Sequence, residues 1–161
     1  MMENKLREPT LRFPEFASTS SAQSAGDWVE KRYGDIYSFH STNSLSRDKL
    51  NYEKGDVYNV HYGDIHTKFS TMFELENEFV PYINSDIDLS KIKPESYCQV
   101  GDLVVADASE DYDDIGKTME IMSLNNQKTL AGLHTFLARP DKGSMALGFI
   151  GYLLQSWKIR K

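Results

Sequence analysis

The apolar positions of this chain fall in short segments separated by glycine, proline and polar residues, which predicts a fold built mainly from short β-strands. Residues 56–62 are rich in Val and Tyr, as strands are, and Gly63-Asp64 after them predicts a turn. Residues 103–106 form an uninterrupted apolar run, which indicates a strand buried on both faces. Further strands are predicted at 117–123 and across 128–140.

Helical segments are fewer, and the best of them lies near the end of the chain. Residues 144–158 place apolar side chains on one wide helical face, with Ser144 as the N-cap. Gly148 and Gly151 either permit close approach of another element or simply weaken this helix. Two shorter helical pieces are predicted. One lies within the segment 70–83 and ends before Pro81, and the other is a turn of helix that carries Ile36 and Phe39.

These elements together predict an α+β (mixed α/β) fold, in which a twisted sheet of short strands carries peripheral helices and a C-terminal helix. The length of 161 residues fits one domain. Because the N-terminal segment is rich in small polar residues, we expect a flexible leader at 1–25 and the folded domain at 26–161.

Composition narrows the class of protein. Apolar residues make up 40% of the chain and aromatic residues 12%, which is typical of a globular protein. The net charge of −6 argues against a basic nucleic-acid footprint spread over the whole chain. With Cys98 as the only cysteine an internal disulfide is excluded, and no apolar run suits a membrane span or a secretory signal. We therefore expect a reduced, cytoplasmic setting and no membrane partner.

The stretch NVHYGDIHTKF, residues 59–69, concentrates candidate chemistry because it holds His61, Asp64, His66 and Lys68. The His-Glu-x-x-His zinc motif needs a helix with its two histidines four positions apart, whereas His61 and His66 are five positions apart. This stretch is not predicted to be helical, so metal binding is disfavoured. The simplest interpretation makes His61 a strand residue and His66 a surface loop residue.

No other segment supplies a catalytic or cofactor motif. The acidic run at 109–116 begins like a calcium loop, but Met122 stands where that loop needs a bidentate Glu. The chain has no Gly-x-Ser-x-Gly, no glycine-rich phosphate loop, and no Asn-Pro-Pro-Tyr or Asp-Pro-Pro-Tyr of an adenine methyltransferase. The residues alone therefore predict a binding module with no catalytic centre, no metal and no cofactor.

Four groups of segments, in this order along the chain, resemble one target-recognition domain of a type I restriction–modification specificity (S) subunit. They are PTLRFPEF with GDWVEKRYGDI, then VHYGDIHTKF, then VGDLVVADASEDYDDIGKTMEI, then LAGLHTFLARP with GFIGYLLQS. The resemblance implies a non-catalytic chain that recognises one half of a bipartite DNA target. The chain ends at KIRK, where the family's long spacer helix would begin, so we expect an excised domain or a truncated product.

The same resemblance implies the partners. They are double-stranded DNA, the methyltransferase (M) subunits, which use S-adenosylmethionine to methylate adenine, and the restriction (R) subunit. We expect S-adenosylmethionine on the M subunit and no cofactor on this chain. Partner subunits would supply much of the phosphate contact, which reconciles the negative net charge with DNA recognition.

Candidate DNA contacts are polar side chains on loops that the strands hold in place. Phosphate contacts are predicted from cations, and adenine contacts from amides, because an amide bonds both N6 and N7 of adenine. The candidates are Arg47, Lys49 and Lys68, the amides Asn43 and Asn59, and Tyr62, His66, Thr67, His134 and Thr135. Each also has a purely structural interpretation, such as a solvated cation, or for His134 a core residue with satisfied hydrogen bonds.

Two other functions stay open. One is a truncated protein-interaction module that binds the M subunit without DNA. The other, supported by less, is a metal-dependent hydrolase built on His61, Asp64 and His66.

Overall fold

The computed structural model describes residues 31–156 and residue 159. The chain divides after Asp35 into two compact units. In the described part of the first unit, a 3-10 turn spans Tyr33–Asp35, and the Asp35 amide donates to the Arg32 carbonyl oxygen at 3.0 Å. The expected leader at 1–25 and the expected start of the folded domain at residue 26 lie outside the described residues, so the domain bounds stay a prediction.

From Ile36 onward, the described residues form nine short strands and two helices. The strands are β1 Tyr37–His40, β2 Leu50–Asn51, β3 Val57–Val60, β4 Met72–Glu74, β5 Tyr82–Ile83, β6 Leu103–Ala106, β7 Thr118–Ser123, β8 Lys128–Ala131 and β9 Thr135–Pro140. The helices are α1 Tyr62–Thr67 and α2 Phe149–Gln155. Single 3-10 turns lie at Arg47–Lys49, Leu75–Asn77, Pro94–Ser96 and Tyr112–Asp114.

The strands form two sheets rather than one. A five-stranded sheet has the order β1-β9-β6-β7-β4, and a four-stranded sheet has the order β2-β5-β3-β8. Pairing is antiparallel except between β4 and β7 and between β3 and β8. Mixed sheets with few helices give the α+β class that the sequence predicts, and that prediction is confirmed.

The main core lies between the two sheets. Its largest apolar cluster joins Val60 and Ala131 of the four-stranded sheet to Val104, Ile121 and Leu137 of the five-stranded sheet. Because successive strand residues point to opposite faces, the other face of the large sheet carries a second cluster, in which Leu103 and Ala138 pack with Ile150 of α2. The predicted burial of 103–106 on both faces is confirmed.

The predicted single strand at 128–140 is wrong, because it is two strands in different sheets. The chain turns at His134, whose φ of 55° is left-handed, and the Thr135 hydroxyl donates to the Gly132 carbonyl oxygen at 2.6 Å. Only glycine fits at position 132 without movement of its neighbours, because a Cβ there would lie 2.6 Å from Asn59 Nδ2 and 2.8 Å from the Val60 carbonyl oxygen.

The predicted turn at Gly63-Asp64 is also wrong, because both residues lie in the first turn of α1. His61 is the N-cap, and its ring Nδ1 accepts from the Gly63 amide at 3.2 Å. The first amides of a helix have no partner inside the helix, so a side-chain cap at this position replaces the missing bond. Glycine in this position does not stop the helix.

The short helices predicted at 70–83 and around Ile36 and Phe39 are wrong too. Residues Met72–Glu74 pair in parallel with β7, and Phe39 lies in β1 opposite Ala138 of β9. In both places pairing with a distant strand overrides the local pattern.

The C-terminal helix α2 begins at Phe149, not at Ser144, so Ser144 is not its N-cap. Gly148 occupies that position with a φ of +85°, and buried Glu120 accepts from the Gly148 and Gly151 amides at 2.7 and 2.8 Å. A Cβ on Gly151 would lie 2.9 Å from Glu120 Cβ, so of the two alternatives the structure supports close approach of another element at Gly151. No helix within the described ranges is long and apolar enough to span a bilayer.

Candidate nucleic-acid interface

The centre of the candidate site is the carboxylate of Asp64, whose side chain is 1% exposed at the start of α1. Arg47 donates to it through two nitrogens, at 2.6 and 3.1 Å, and Lys68 Nζ lies 2.9 Å from Oδ1. The Arg47 and Lys68 side chains are 44% and 49% exposed. Because two cations share one carboxylate, the cluster carries positive charge at the surface of a chain that is acidic overall.

The ionisation of this cluster is set by the ion pairs. Burial alone would raise the pKa of Asp64, but the hydrogen bonds from Arg47 and Lys68 outweigh it, so the pKa lies below its usual value. The hydrogen bonds to Asp64 also raise the pKa of Arg47 and the pKa of Lys68. All three groups are therefore charged at neutral pH.

His61 supports Arg47 from the other side. Its Nδ1 lies 3.2 Å from Arg47 Nη2 and 3.2 Å from the Gly63 amide nitrogen. Both of these nitrogens can only donate, so Nδ1 is an acceptor and carries no proton. Burial, followed by the Arg47 charge, lowers the pKa of His61, which keeps the ring neutral at neutral pH.

An aromatic pair adjoins the two cations. The Tyr52 hydroxyl accepts from Arg47 Nη1 at 3.2 Å and from Lys68 Nζ at 3.4 Å, and Lys68 Nζ lies 5.6 Å from the centre of the Tyr52 ring. The Tyr52 ring stacks on Phe79 with centroids 4.5 Å apart and planes 12° apart. Neither aromatic residue is among the contacts that the sequence predicts. Phe79 falls in the segment 70–83, whose predicted helix does not form.

Tyr62 connects this cluster to two further histidines. Its ring stacks on His61 at 4.7 Å and meets the rings of His66 and His134 edge to face at 5.9 and 5.3 Å. The Nε2 of His66 donates to the Ala108 carbonyl oxygen at 2.9 Å, so His66 braces the neighbouring loop. The His134 side chain is half exposed, so the alternative prediction that His134 is a core residue with satisfied hydrogen bonds is wrong.

Three of the predicted contacts are used inside the fold. Asn59 has no exposed surface, and its Oδ1 accepts from Asn43 Nδ2 at 2.7 Å. Asn43 Nδ2 also donates to the Ala131 carbonyl oxygen, and Thr135 is buried on Gly132. The expectation that Asn43 and Asn59 present their amides to adenine does not fit this geometry, because the hydrogen bonds of Asn43 hold the segment after β1 to β3 and β8 of the four-stranded sheet.

The remaining predicted contacts reach the surface to different degrees. Arg47, Lys49, Thr67, Lys68 and His134 are exposed, whereas Tyr62 and His66 are half-buried. Lys49 lies in the same 3-10 turn as Arg47, with its Nζ 3.2 Å from Asp48. Thr67 is on the last turn of α1 and donates to the Gly63 carbonyl oxygen at 2.8 Å. The structure thus groups most of the predicted polar contacts around α1, and we call this group the α1 surface: Arg47, Tyr62, His66, Thr67, Lys68 and His134.

The same geometry is unsuited to a metal. Both oxygens of Asp64 point at cations, and the Nδ1 of His61 accepts from two donors. Within the described ranges, no three His, Cys, Asp or Glu side chains are grouped as a metal site requires. The hydrolase alternative on His61, Asp64 and His66 therefore lacks a fitting set of ligands.

The fold has a counterpart among solved structures. It resembles an HsdS subunit. The crystal structure of the HsdS subunit from Thermoanaerobacter tengcongensis matches with a TM-score of 0.50 and 14% sequence identity, over 85% of this chain and 29% of that one. This chain thus spans under a third of the length of the HsdS subunit. Comparison with family models and with curated proteins finds no match. At this identity the likeness concerns the fold, and at that level the S-subunit resemblance is confirmed.

Proposed function

We propose that this chain is a DNA-recognition component of a type I restriction–modification system and recognises one half of a bipartite target. The observation that carries the proposal is the α1 surface on an HsdS-like fold. There two half-exposed cations, fixed by one buried carboxylate, lie close to exposed His134 and to the half-buried ring of Tyr62.

The α1 surface divides into two chemical parts. Arg47 and Lys68 are suited to backbone phosphates, because their charge is fixed and their side chains are already ordered by Asp64. His134 and Thr67 have exposed polar groups that can reach base edges. Phosphate contacts position a protein on DNA and base contacts specify the sequence, so one surface serves both purposes.

Catalysis is assigned to the partners in this proposal. The M subunits would bind S-adenosylmethionine and methylate adenine, and the R subunit would join that core. Because the matched HsdS subunit is more than three times as long as the aligned part, docking to M and R subunits is a property proposed for a complete S subunit.

A specific observation supports the interaction module as a second candidate. Phe149 and Tyr152 lie on one side of α2 and are both largely exposed, with exposed Leu147 just before the helix. Exposed apolar groups of this kind are typical of protein contacts. Capture of an M subunit by a chain that shifts no DNA would favour this candidate over DNA recognition.

The direct experiment is a titration of the full chain with labelled duplex DNA at increasing salt. We expect binding that weakens as salt rises, because counterions are released from the phosphates that Arg47 and Lys68 neutralise. Failure to bind duplex DNA at low salt would contradict the proposal.

A further inference from the structure

The ring of Phe79 is presented to solvent in a fixed orientation. The residue is 71% exposed, although one of its faces is covered by the stacked ring of Tyr52. Its loop is held on both sides, since Val80 is buried in the core and the Glu78 carboxylate accepts from the Ser70 amide at 2.9 Å. One flat aromatic face is therefore open, and the loop that carries it is anchored.

This open ring belongs to the same assembly as the two cations. Tyr52 stacks on Phe79 through its ring and accepts from Arg47 and Lys68 through its hydroxyl. A nucleotide likewise joins an aromatic base to a phosphate a few ångström away. Grooves that bind unpaired nucleic acid combine cations for the backbone with aromatic rings for the bases.

We propose that Phe79, supported by Tyr52, is a stacking platform for a nucleobase that has left the duplex stack, with the neighbouring phosphate on Arg47 and Lys68. This inference rests on the proposed function, because it requires DNA at the α1 surface. It adds an unpaired base as the class of ligand, and it adds Phe79, which is not among the contacts predicted from the sequence.

The acidic neighbours are consistent with this orientation. Glu53 follows Tyr52 and is exposed, and Glu78 precedes Phe79. Their carboxylates disfavour a phosphate at the Phe79 end and leave the Arg47–Lys68 end as the place for the backbone. Every base has a π face, so the platform accepts any base and adds affinity rather than sequence preference.

The test compares two labelled duplexes of the same sequence, one fully paired and one with a single bulged 5-iodouracil. The full chain should bind the bulged duplex at least about fivefold more tightly, in line with the usual contribution of base–aromatic stacking. Light should cross-link the iodouracil to Phe79 or to Tyr52, as mapped by mass spectrometry.

Variants separate stacking from simple apolar contact. Phe79→Ala and Phe79→Leu should both abolish the preference, and Phe79→Trp should keep it, because only the ring stacks. Phe149→Ala is the matched control: it removes another exposed phenylalanine, on α2, and should leave the ratio of the two affinities unchanged. Circular dichroism of each variant establishes that it is folded.

Each outcome has one meaning. Equal affinity for the two duplexes, or a preference that survives in Phe79→Ala or Phe79→Leu, overturns the platform and leaves the proposed function intact. A cross-link to α2 residues in place of Phe79 or Tyr52 also overturns it, and so does capture of a protein partner through Phe79 with no effect on DNA. Failure to bind either duplex overturns the proposed function and the platform together.

Discussion

Arg47 donates to both oxygens of Asp64, and the Asp64 side chain is almost completely buried while the arginine is half exposed. A buried carboxylate is stable only when its charge is paired and its oxygens are hydrogen-bonded. The cation is consequently held in place by a carboxylate that is itself almost out of reach of solvent. Asp64 thus acts by positioning Arg47, and we expect its loss to affect the stability of the fold.

Asp64→Asn should lower the free energy of unfolding by about 2 kcal/mol, because charge-assisted hydrogen bonds from Arg47 and Lys68 are lost. Chemical denaturation of the variant and of the original chain measures the difference. Asp48→Asn is the control, since Asp48 is an exposed partner of Lys49, and it should leave the denaturation midpoint unchanged. Equal effects of the two substitutions would contradict the structural role of Asp64.

Stability should fall as the pH is lowered through the ordinary titration range of histidine. The pKa of His61 is depressed by burial and then by Arg47, so below its usual value of 6.5 the unfolded chain binds a proton that the folded chain does not. The free energy of unfolding therefore decreases from pH 7 downward until His61 is protonated in the folded state. Asp64, whose pKa is also depressed, adds a second loss below its usual value of 3.8.

His61→Asn tests this assignment, because Asn can supply an acceptor near the position of Nδ1 but does not titrate. Denaturation series at several pH values should give a flatter profile for the variant than for the original chain. Identical profiles would show that another histidine accounts for the loss.

Glu120→Gln should destabilise the chain by about 1 to 2 kcal/mol, because Glu120 accepts from two amides at the start of α2 and a neutral amide group has only one oxygen. The helical signal in circular dichroism should decrease before the sheet unfolds. Glu110→Gln, at an exposed position in the acidic loop, should have no measurable effect. A wild-type melting curve for Glu120→Gln would contradict the capping role.

Gly132→Ala should cost about 1 to 3 kcal/mol, since the added methyl group would meet Asn59 and the Val60 carbonyl oxygen at less than 3 Å. Gly63→Ala provides the comparison, because a Cβ there makes only ordinary contacts, the nearest at 3.5 Å from His61 Nδ1. That substitution should be neutral or slightly stabilising. The ranking of the two midpoints in denaturant checks the close packing of Gly132 against β3, and a reversed ranking would contradict it.

Lys68→Gln should weaken binding to all duplex sequences and reduce the slope of log affinity against log salt by about one. Lys142→Gln is the matched control, because Lys142 is exposed just beyond the Pro140 end of β9, away from α1. An unchanged slope for Lys68→Gln would remove this lysine from the DNA contact surface.

The sequence predicts the strands best where burial leaves no alternative. The run 103–106 is a strand with the predicted bounds, because its residues pair on both sides with β7 and β9 and are largely buried on both faces of the sheet. The prediction fails at α1, since Gly63 resembles a strand terminator and the cap from His61 is not visible in the local pattern. The prediction also misses strands that form only by pairing with a strand distant in sequence, as β4 does with β7.

The sequence predicts several residues of the candidate site, but not the ion pairs and ring contacts that join them. Lys68 and Arg47 are both expected contacts, but their shared carboxylate is not. The i,i+4 spacing of Asp64 and Lys68 becomes informative only once α1 is known to be a helix, and no periodicity links Asp64 to Arg47 on a separate element. The amide of Asn59 makes it a predicted adenine contact, and only the structure shows that this amide lies in the interior. Exposed Phe79 lies in a segment with a helical pattern, which hid its stacking on Tyr52.

Selection from a pool of random duplex DNA by the full chain, followed by sequencing, tests the central claim most directly. If the α1 surface recognises one half of a target, one short sequence motif should become enriched over successive rounds, and Lys68→Gln should slow the enrichment without changing the motif. A bound pool with the base composition of the input would contradict sequence-specific recognition by this chain.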